Sequence, residues 1–197
     1  MSQVSRYHPV LVVLHWILAA LIPTALALGV FVVVKIPNND PMKIEALRGH
    51  MAGGVLILTL MLLRLALRFL TPHPAAASTG RSLLDRLAWL SHRLLYLAVI
   101  GLAAAGLSMA IDAGILGIMV NEHPQLPADF WVYNSRYAHY LISRLLIGLI
   151  VLHVAGVFHH ALIRKDGLLR RMWFGRRVIR GNEPATPHRG QHTGARG

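Results

Sequence analysis

Four long apolar segments limit what this chain can fold into. We place them at residues 10–34, 46–70, 91–111 and 138–163. Each reaches the length of about 20 residues that a helix needs to cross the hydrocarbon core of a bilayer. None shows the alternation of apolar and polar residues that a membrane β-strand requires. The pattern predicts an all-α integral membrane protein, a four-transmembrane-helix bundle forming one domain over residues 1–180.

The distribution of charge predicts the orientation of this bundle. The chain has 20 Lys and Arg against 8 Asp and Glu, a formal net charge of +12. Fifteen of the cations lie on the side that carries both termini, against four on the opposite side. Because cytoplasmic loops are enriched in Lys and Arg, we predict a bacterial inner-membrane protein with cytoplasmic termini. This topology already explains the basic charge, so we expect no nucleic-acid partner.

Two basic segments follow the fourth apolar segment. Residues 168–179 carry four arginines among apolar side chains, which suggests either an interfacial helix on anionic membrane lipid or a solvated basic segment. Residues 181–197 are rich in Gly, Pro, Thr, His and Arg and predict a disordered basic tail.

The chain has no cysteine and 12 histidines. The first fact excludes disulfides, thiolate zinc sites, iron–sulfur clusters and covalently attached c-type haem. The second is unusual because some of the histidines lie in apolar segments, where ionisable side chains are costly and usually functional. The four that we single out are His15, His50, His139 and His153.

The spacing of these histidines predicts two haem b groups. His139 and His153 are 14 residues apart, so they leave one helix face with an offset of about 40° and an axial separation of about 21 Å. Matched by depth, His50 pairs with His139 near the outer face, and His15 pairs with His153 toward the cytoplasm. Two neutral imidazoles form a six-coordinate haem iron suited to electron transfer.

Further residues fit such a site. Arg48, which is close to a predicted ligand in sequence, and Arg144, between the two ligand levels, are candidates for pairing with haem propionates. Gly54, Gly148 and Gly156 are candidates for haem packing, because small residues let a flat group approach a helix. A bare metal site is disfavoured because the ligands form two widely separated pairs with no carboxylate nearby.

Several short motifs together resemble the bacterial cytochrome b561 family. They are Leu14-His15-Trp16, Arg48-Gly49-His50 with Gly54, Ser91-His92-Arg93 with Tyr96, His139, His153, His159-His160 and Arg164-Lys165-Asp166-Gly167. The resemblance runs from about Tyr7 to Met172 and implies a small di-haem cytochrome whose ligands match the four histidines nominated above. It also implies electron exchange with a membrane quinone. One branch of the family passes electrons from superoxide to ubiquinone, and related subunits serve hydrogenases and formate dehydrogenases.

The resemblance directs attention to a quinone site at the cytoplasmic end of the fourth span. His160 lies seven residues beyond His153, about 20° around the helix and about 10 Å nearer the cytoplasm. We expect it to donate a hydrogen bond or a proton to ubiquinone, although a hydrated helix-end histidine is an equal alternative. His159, His92 and Arg81 are weaker quinone-site candidates.

The functional hypotheses differ in the electron donor that they assign to the protein. Superoxide is an anion and is steered by positive charge, which makes Lys43 and Arg136 the donor-side candidates. The outer loops nevertheless carry four cations against five acidic residues, which counts against steering. The leading hypothesis is a superoxide:ubiquinone oxidoreductase, or a cytochrome with another periplasmic donor. The alternatives are a membrane anchor and electron conduit for a dehydrogenase or hydrogenase, and a non-redox transporter.

Overall fold

The computed structural model describes residues 3–74 and 82–180. Over these ranges the chain forms four long helices, α1 Pro9–Leu28, α2 Met42–Leu70, α3 Ser82–Asp112 and α4 Asn134–Phe158. Each is long and apolar enough to cross a membrane. The predicted class, an all-α bundle of four membrane-spanning helices, is confirmed. The predicted tail, residues 181–197, lies outside the described residues.

α2, α3 and α4 extend beyond the predicted apolar segments, whereas α1 with its π-helical turn covers nearly the predicted range. α1 continues as a π-helical turn, Gly29–Val33, and α4 as another, His159–Arg164. α3 begins at Ser82 rather than at residue 91, because its first turns carry charged side chains that hydropathy does not count. Such residues sit at helix ends, where the bilayer gives way to headgroups and water.

The helices form two pairs, and we call the boundary between the pair α1–α2 and the pair α3–α4 the seam. α3 packs mainly against α4, and α1 against α2, with α2 and α3 joining the two pairs. The main core cluster consists of Leu18, Ile57, Met61, Ala98, Val99, Leu146 and Leu149. Much of the remaining helix surface is apolar and exposed, as expected where lipid rather than protein covers it.

The two ends of the bundle differ in construction. We call the end with both termini the terminal face, and the end with the α1–α2 and α3–α4 connections the loop face. At the terminal face, β1 Gln3–Val4 pairs antiparallel with β2 Ile179–Arg180. Arg6 donates hydrogen bonds to the carbonyls of Trp173 and Phe174 at 3.1 and 3.0 Å. We call this arrangement the terminal clasp.

The terminal clasp changes the interpretation of residues 168–179. A helical turn covers Leu168–Met172, and the chain then passes through bends at residues 173–175 and irregular residues 176–178 to reach β2. The predicted interfacial helix over this whole range is therefore wrong. The physical reason is pairing with the N-terminal residues, which supplies the backbone with partners in an extended conformation: the N–H of Ser5, for example, donates to the carbonyl of Val178 at 3.0 Å.

Lys43 has a structural position at the loop face. Its side chain is 5% exposed, and its Nζ donates to the carbonyls of Val33 and Ile36 at 2.7 and 2.8 Å. These carbonyls end the first span, where no further helical N–H reaches them. Lys43 was predicted to face an electron donor, and this prediction is wrong because the ammonium group is used inside the fold.

We expect Lys43→Met to lower the free energy of unfolding by about 1–3 kcal/mol, because two buried carbonyls lose their donor while the apolar stem remains. Denaturant unfolding of the purified protein in detergent measures this. Lys35→Met, which removes the same charge from an exposed position nearby, is the control. Equal stability of the two variants would contradict the structural assignment of Lys43.

Candidate functional site

Two pairs of imidazoles lie in the seam between the helices. His15 of α1 faces His153 of α4, with ring centroids 6.4 Å apart and ring planes at 74°. His50 of α2 faces His139 of α4, with centroids 6.1 Å apart and planes at 73°. The first pair lies toward the terminal face and the second toward the loop face, so α4 contributes one imidazole to each.

The separation within each pair fits a metal ion bound from both sides. A metal–imidazole bond of about 2.0 Å on each side, with the ring radius added, separates two centroids by roughly 6 Å. Both pairs have this spacing. The four side chains therefore fit the axial positions of two haem irons.

The loop-face pair is oriented by its neighbours. Nδ1–H of His139 is placed to donate to the carbonyl of Leu102 at 3.1 Å, which leaves Nε2 available to a metal. A Cβ added at Gly106 would lie 3.2 Å from His139 Cε1 and Nδ1. A Cβ at Gly29 would lie 3.2 Å from His50 Cε1. Glycine at these two positions lets α3 and α1 approach the rings closely.

The glycines predicted to pack against haem have different surroundings. An added Cβ at Gly54, Gly148 or Gly156 would meet nothing within 4 Å. Gly54 is half-buried, one turn beyond His50, and leaves open space there that suits a flat group. Gly148 is exposed and follows His139 by nine residues, about 180° around α4. A role for Gly148 in haem packing therefore stays a prediction, on a face of α4 opposite to His139.

The guanidinium of Arg48, at the loop face, makes hydrogen bonds through two of its three nitrogens. Its Nη1 bonds both carboxylate oxygens of Glu45 at 2.7 Å, and its Nε donates to the carbonyl of Ile118 at 2.9 Å. Its Nη2 is buried and has no hydrogen-bond partner among the described residues. The carboxylate of a haem propionate could accept a hydrogen bond from this nitrogen.

Two further arginines of α4 occupy contrasting positions. Arg136 is half-buried, stacks on Trp131 at 4.5 Å, and lies close enough to His50 and His139 to interact electrostatically with both. Arg144 is exposed and stacks on the ring of Tyr140 at 4.9 Å. It borders an otherwise apolar groove of about 390 Å³ between α1 and α4.

The position of Arg144 corrects its predicted role. It follows His139 by five residues, which places it about 140° around the helix from the ligand face. Sequence position alone put it between the two ligand levels, but the helical turn directs it outward. It is therefore not placed to pair with a propionate in the seam.

The predicted quinone-site residues lie near the terminal face. Nδ1 of His160 is 2.6 Å from Oδ2 of Asp166, and His159 is exposed. Desolvation raises the pKa of Asp166, but the hydrogen bond from His160 and the charge of Arg164 outweigh it and hold that pKa below its ordinary value. A carboxylate at neutral pH therefore orients His160. Arg81 lies outside the described residues.

Arg64 and Tyr96, beside the terminal-face pair, were missed as site residues, whereas His92 was named from the sequence as a weaker quinone-site candidate. His92 of α3 lies 5.3 Å from His153, centroid to centroid. Arg64 of α2 is buried, and its guanidinium lies 5.3 Å from the ring centre of Tyr96. Charge counting had assigned Arg64 to the cytoplasmic side. The overlooked signal is its spacing of 14 residues from His50, the same interval that separates the histidines of α4.

Long apolar helices that enclose paired, metal-spaced imidazoles define a membrane haem protein. The family model described as prokaryotic cytochrome b561 matches residues 6–175, so the chain belongs to the prokaryotic cytochrome b561 family. It is a multi-pass membrane cytochrome that binds b-type haem and transfers electrons. The predicted family is confirmed, and the non-redox transporter is excluded.

We expect Gly106→Ala to increase the rate of haem loss to an excess of a haem-scavenging protein about 10-fold, because the new methyl group displaces His139. Absorbance of the purified protein follows the transfer. Gly101→Ala on the same helix is the control, since its Cβ would meet Ile142 at an ordinary 3.7 Å. Equal rates of loss in the two variants would rule out the close approach as a determinant of haem binding.

Proposed function

We propose that this cytochrome holds two haem b groups and carries electrons between the two faces of the bacterial inner membrane, with its terminal face in the cytoplasm. His50 and His139 are the proposed axial ligands at the loop face, and His15 and His153 those at the terminal face. The observation that carries this proposal is the equal, metal-compatible spacing of the two imidazole pairs, 6.1 and 6.4 Å between centroids.

The protein sets the distance between the two proposed haem sites and the polarity of the space between them. Bound haem supplies one-electron chemistry at iron. His139 and His153 fix the two sites on one rigid helix, about 21 Å apart along its axis. Leu146 lies seven residues from each of them and is 1% exposed, so an apolar side chain fills the interval and excludes water.

Ubiquinone is the proposed electron acceptor, at the terminal face. A cavity of about 510 Å³ there is lined by Asp166, Leu168, Leu169, Arg170 and their neighbours. His160 bonds Asp166 through Nδ1, which leaves Nε2 to donate a hydrogen bond or a proton to a quinone oxygen. Two electrons and two protons convert one ubiquinone to ubiquinol. His159 and Arg81 are secondary candidates for contacts with the headgroup.

The loop face receives the electron from a periplasmic donor. Superoxide as donor would be oxidised to dioxygen, two molecules for each ubiquinone reduced. Lys43 and Arg48 are engaged in internal contacts, which leaves Arg136 as the donor-side candidate and weakens steering of an anion. This observation favours a second candidate function, an electron conduit for a partner dehydrogenase or hydrogenase. Reduction of the purified haems by a superoxide-generating system would support the first function. Reduction only after addition of a co-purified redox subunit would support the second.

We expect His50→Ala and His139→Ala each to remove the loop-face haem and leave the other, because one axial bond is lost while the second pair stays intact. His15→Ala and His153→Ala should do the converse. Haem quantification and the dithionite-reduced spectra of the four variants measure this. Loss of the same haem in the His15 and His50 variants would disprove the pairing.

We expect His160→Leu to keep both haems and to slow reoxidation of the reduced haems by ubiquinone about 10-fold or more, because leucine keeps bulk and removes proton donation. Stopped-flow absorbance measures the rate, and His123→Leu, which alters an exposed histidine of the α3–α4 connection, is the control. Wild-type reoxidation by the His160 variant would move the proposed quinone site, and the groove beside Arg144 would become the next candidate.

A further inference from the structure

The two imidazole pairs define two levels along the bundle axis, which we call the loop-face level and the terminal-face level. The four helices share one residue spacing between these levels. Each places a key residue at the loop-face level and another at the terminal-face level, 14 residues apart. These pairs are Gly29 and His15 in α1, His50 and Arg64 in α2, Gly106 and His92 in α3, and His139 and His153 in α4. Because 14 residues span about 21 Å with an offset of only about 40°, both members of a pair face the seam.

The two levels differ in what accompanies the imidazole pair. At the loop-face level the companions are Gly29 and Gly106, which touch the rings through backbone alone. At the terminal-face level the companions are His92 and Arg64. Arg64 lies 14 residues beyond His50 on α2 and near enough to His15 and His153 to interact electrostatically with both, which places it at this level. A cation thus stands where the other level has a glycine.

Arg64 is a buried cation without a matching anion. It is 9% exposed, and within residues 3–74 and 82–180 its guanidinium has no hydrogen bond and no ion pair with a carboxylate. Its contact is the ring face of Tyr96 at 5.3 Å, and Arg68 adds a like charge nearby. Burial of a charge with no partner is strongly unfavourable, so an acidic group beside Arg64 would stabilise the fold.

Tyr96 supplies a second unsatisfied donor at the same place. Its hydroxyl is buried and has no hydrogen-bond partner in the described part of the chain. It lies on α3 one turn beyond His92, which in turn contacts His153. A guanidinium on α2 and a phenol on α3 therefore adjoin the terminal-face pair, both able to donate and neither paired.

We propose that Arg64 and Tyr96 together bind an acidic, oxygen-rich group beside the terminal-face imidazole pair. Two sources have this chemistry: the carboxylate of a propionate of the haem at this level, and the phosphate of a membrane lipid. A guanidinium and a hydroxyl present several N–H and O–H donors, which suits either group. The proposal rests on the proposed haem ligation and extends it to two residues that hold no iron.

The test uses the holoprotein with haem labelled by ¹³C at the propionate carboxyls. Redox-difference infrared spectra are compared for the wild type, Arg64→Gln, Tyr96→Phe and Arg68→Gln. Arg68, one turn further along α2 and stacked near Tyr7, is the matched control for loss of one positive charge. Haem content and the redox titration of both haems are recorded for every variant, so a folding defect is seen directly.

We expect a label-sensitive carboxylate band to shift in the Arg64 and Tyr96 variants and not in the Arg68 variant, with both haems retained. The midpoint potential of the terminal-face haem should fall in Arg64→Gln, while that of the loop-face haem is unchanged. If a lipid is the source, the label-sensitive band stays fixed. Wild-type protein then shows a different terminal-face potential in phosphatidylcholine vesicles with and without phosphatidylglycerol, and Arg64→Gln abolishes that difference.

The proposal is overturned if the infrared bands and the lipid dependence are the same in the wild type and in both variants. It is also overturned if Arg68→Gln reproduces every effect of Arg64→Gln, because charge alone would then explain them. A wild-type protein with only one haem would instead contradict the ligand assignment. Haem quantification detects that outcome before any variant is compared, so the two failures are distinguishable.

Discussion

The placement of two imidazoles on one face of α4 governs the rest of the bundle. His139 and His153 recur after 14 residues, close to four helical turns, so every other helix must present its own residues at the same interval to reach both. α1 and α2 each supply one partner imidazole. At the other level α1 supplies Gly29 against a ring. The seam therefore contains two levels, and the geometry of α4 fixes the distance between them.

A lipid bilayer limits which interactions can stabilise the association of these helices. Apolar side chains gain little by leaving hydrocarbon for protein, so helix association depends on close packing and on polar contacts. In this chain the polar contacts concentrate at the two ends. Lys43 and Arg48 bind carbonyls at the loop face, and the terminal clasp joins the N-terminal residues to the segment after α4. The two imidazole pairs lie between these ends.

The two levels have the same proposed ligands but different surroundings. Glycine backbone adjoins the loop-face pair, whereas His92 and Arg64 adjoin the terminal-face pair. Local charge and polarity are among the properties by which a protein sets the reduction potential of a haem. Under the proposed ligation, two haems with the same axial ligands would have different reduction potentials, because their surroundings differ in charge and polarity.

The sequence by itself determined the class of fold, because a helix is the solution that satisfies backbone hydrogen bonds over a long apolar segment in lipid. It also nominated the four histidines, since depth and helical spacing are properties of one helix at a time. Only the tertiary structure decided which donors are satisfied. Lys43 and Arg64 are both cations near helix ends in the sequence, yet one binds carbonyls inside the fold and the other is buried with no carboxylate partner in the described part of the chain. That difference depends on the neighbouring helices, whose approach no single-helix pattern encodes.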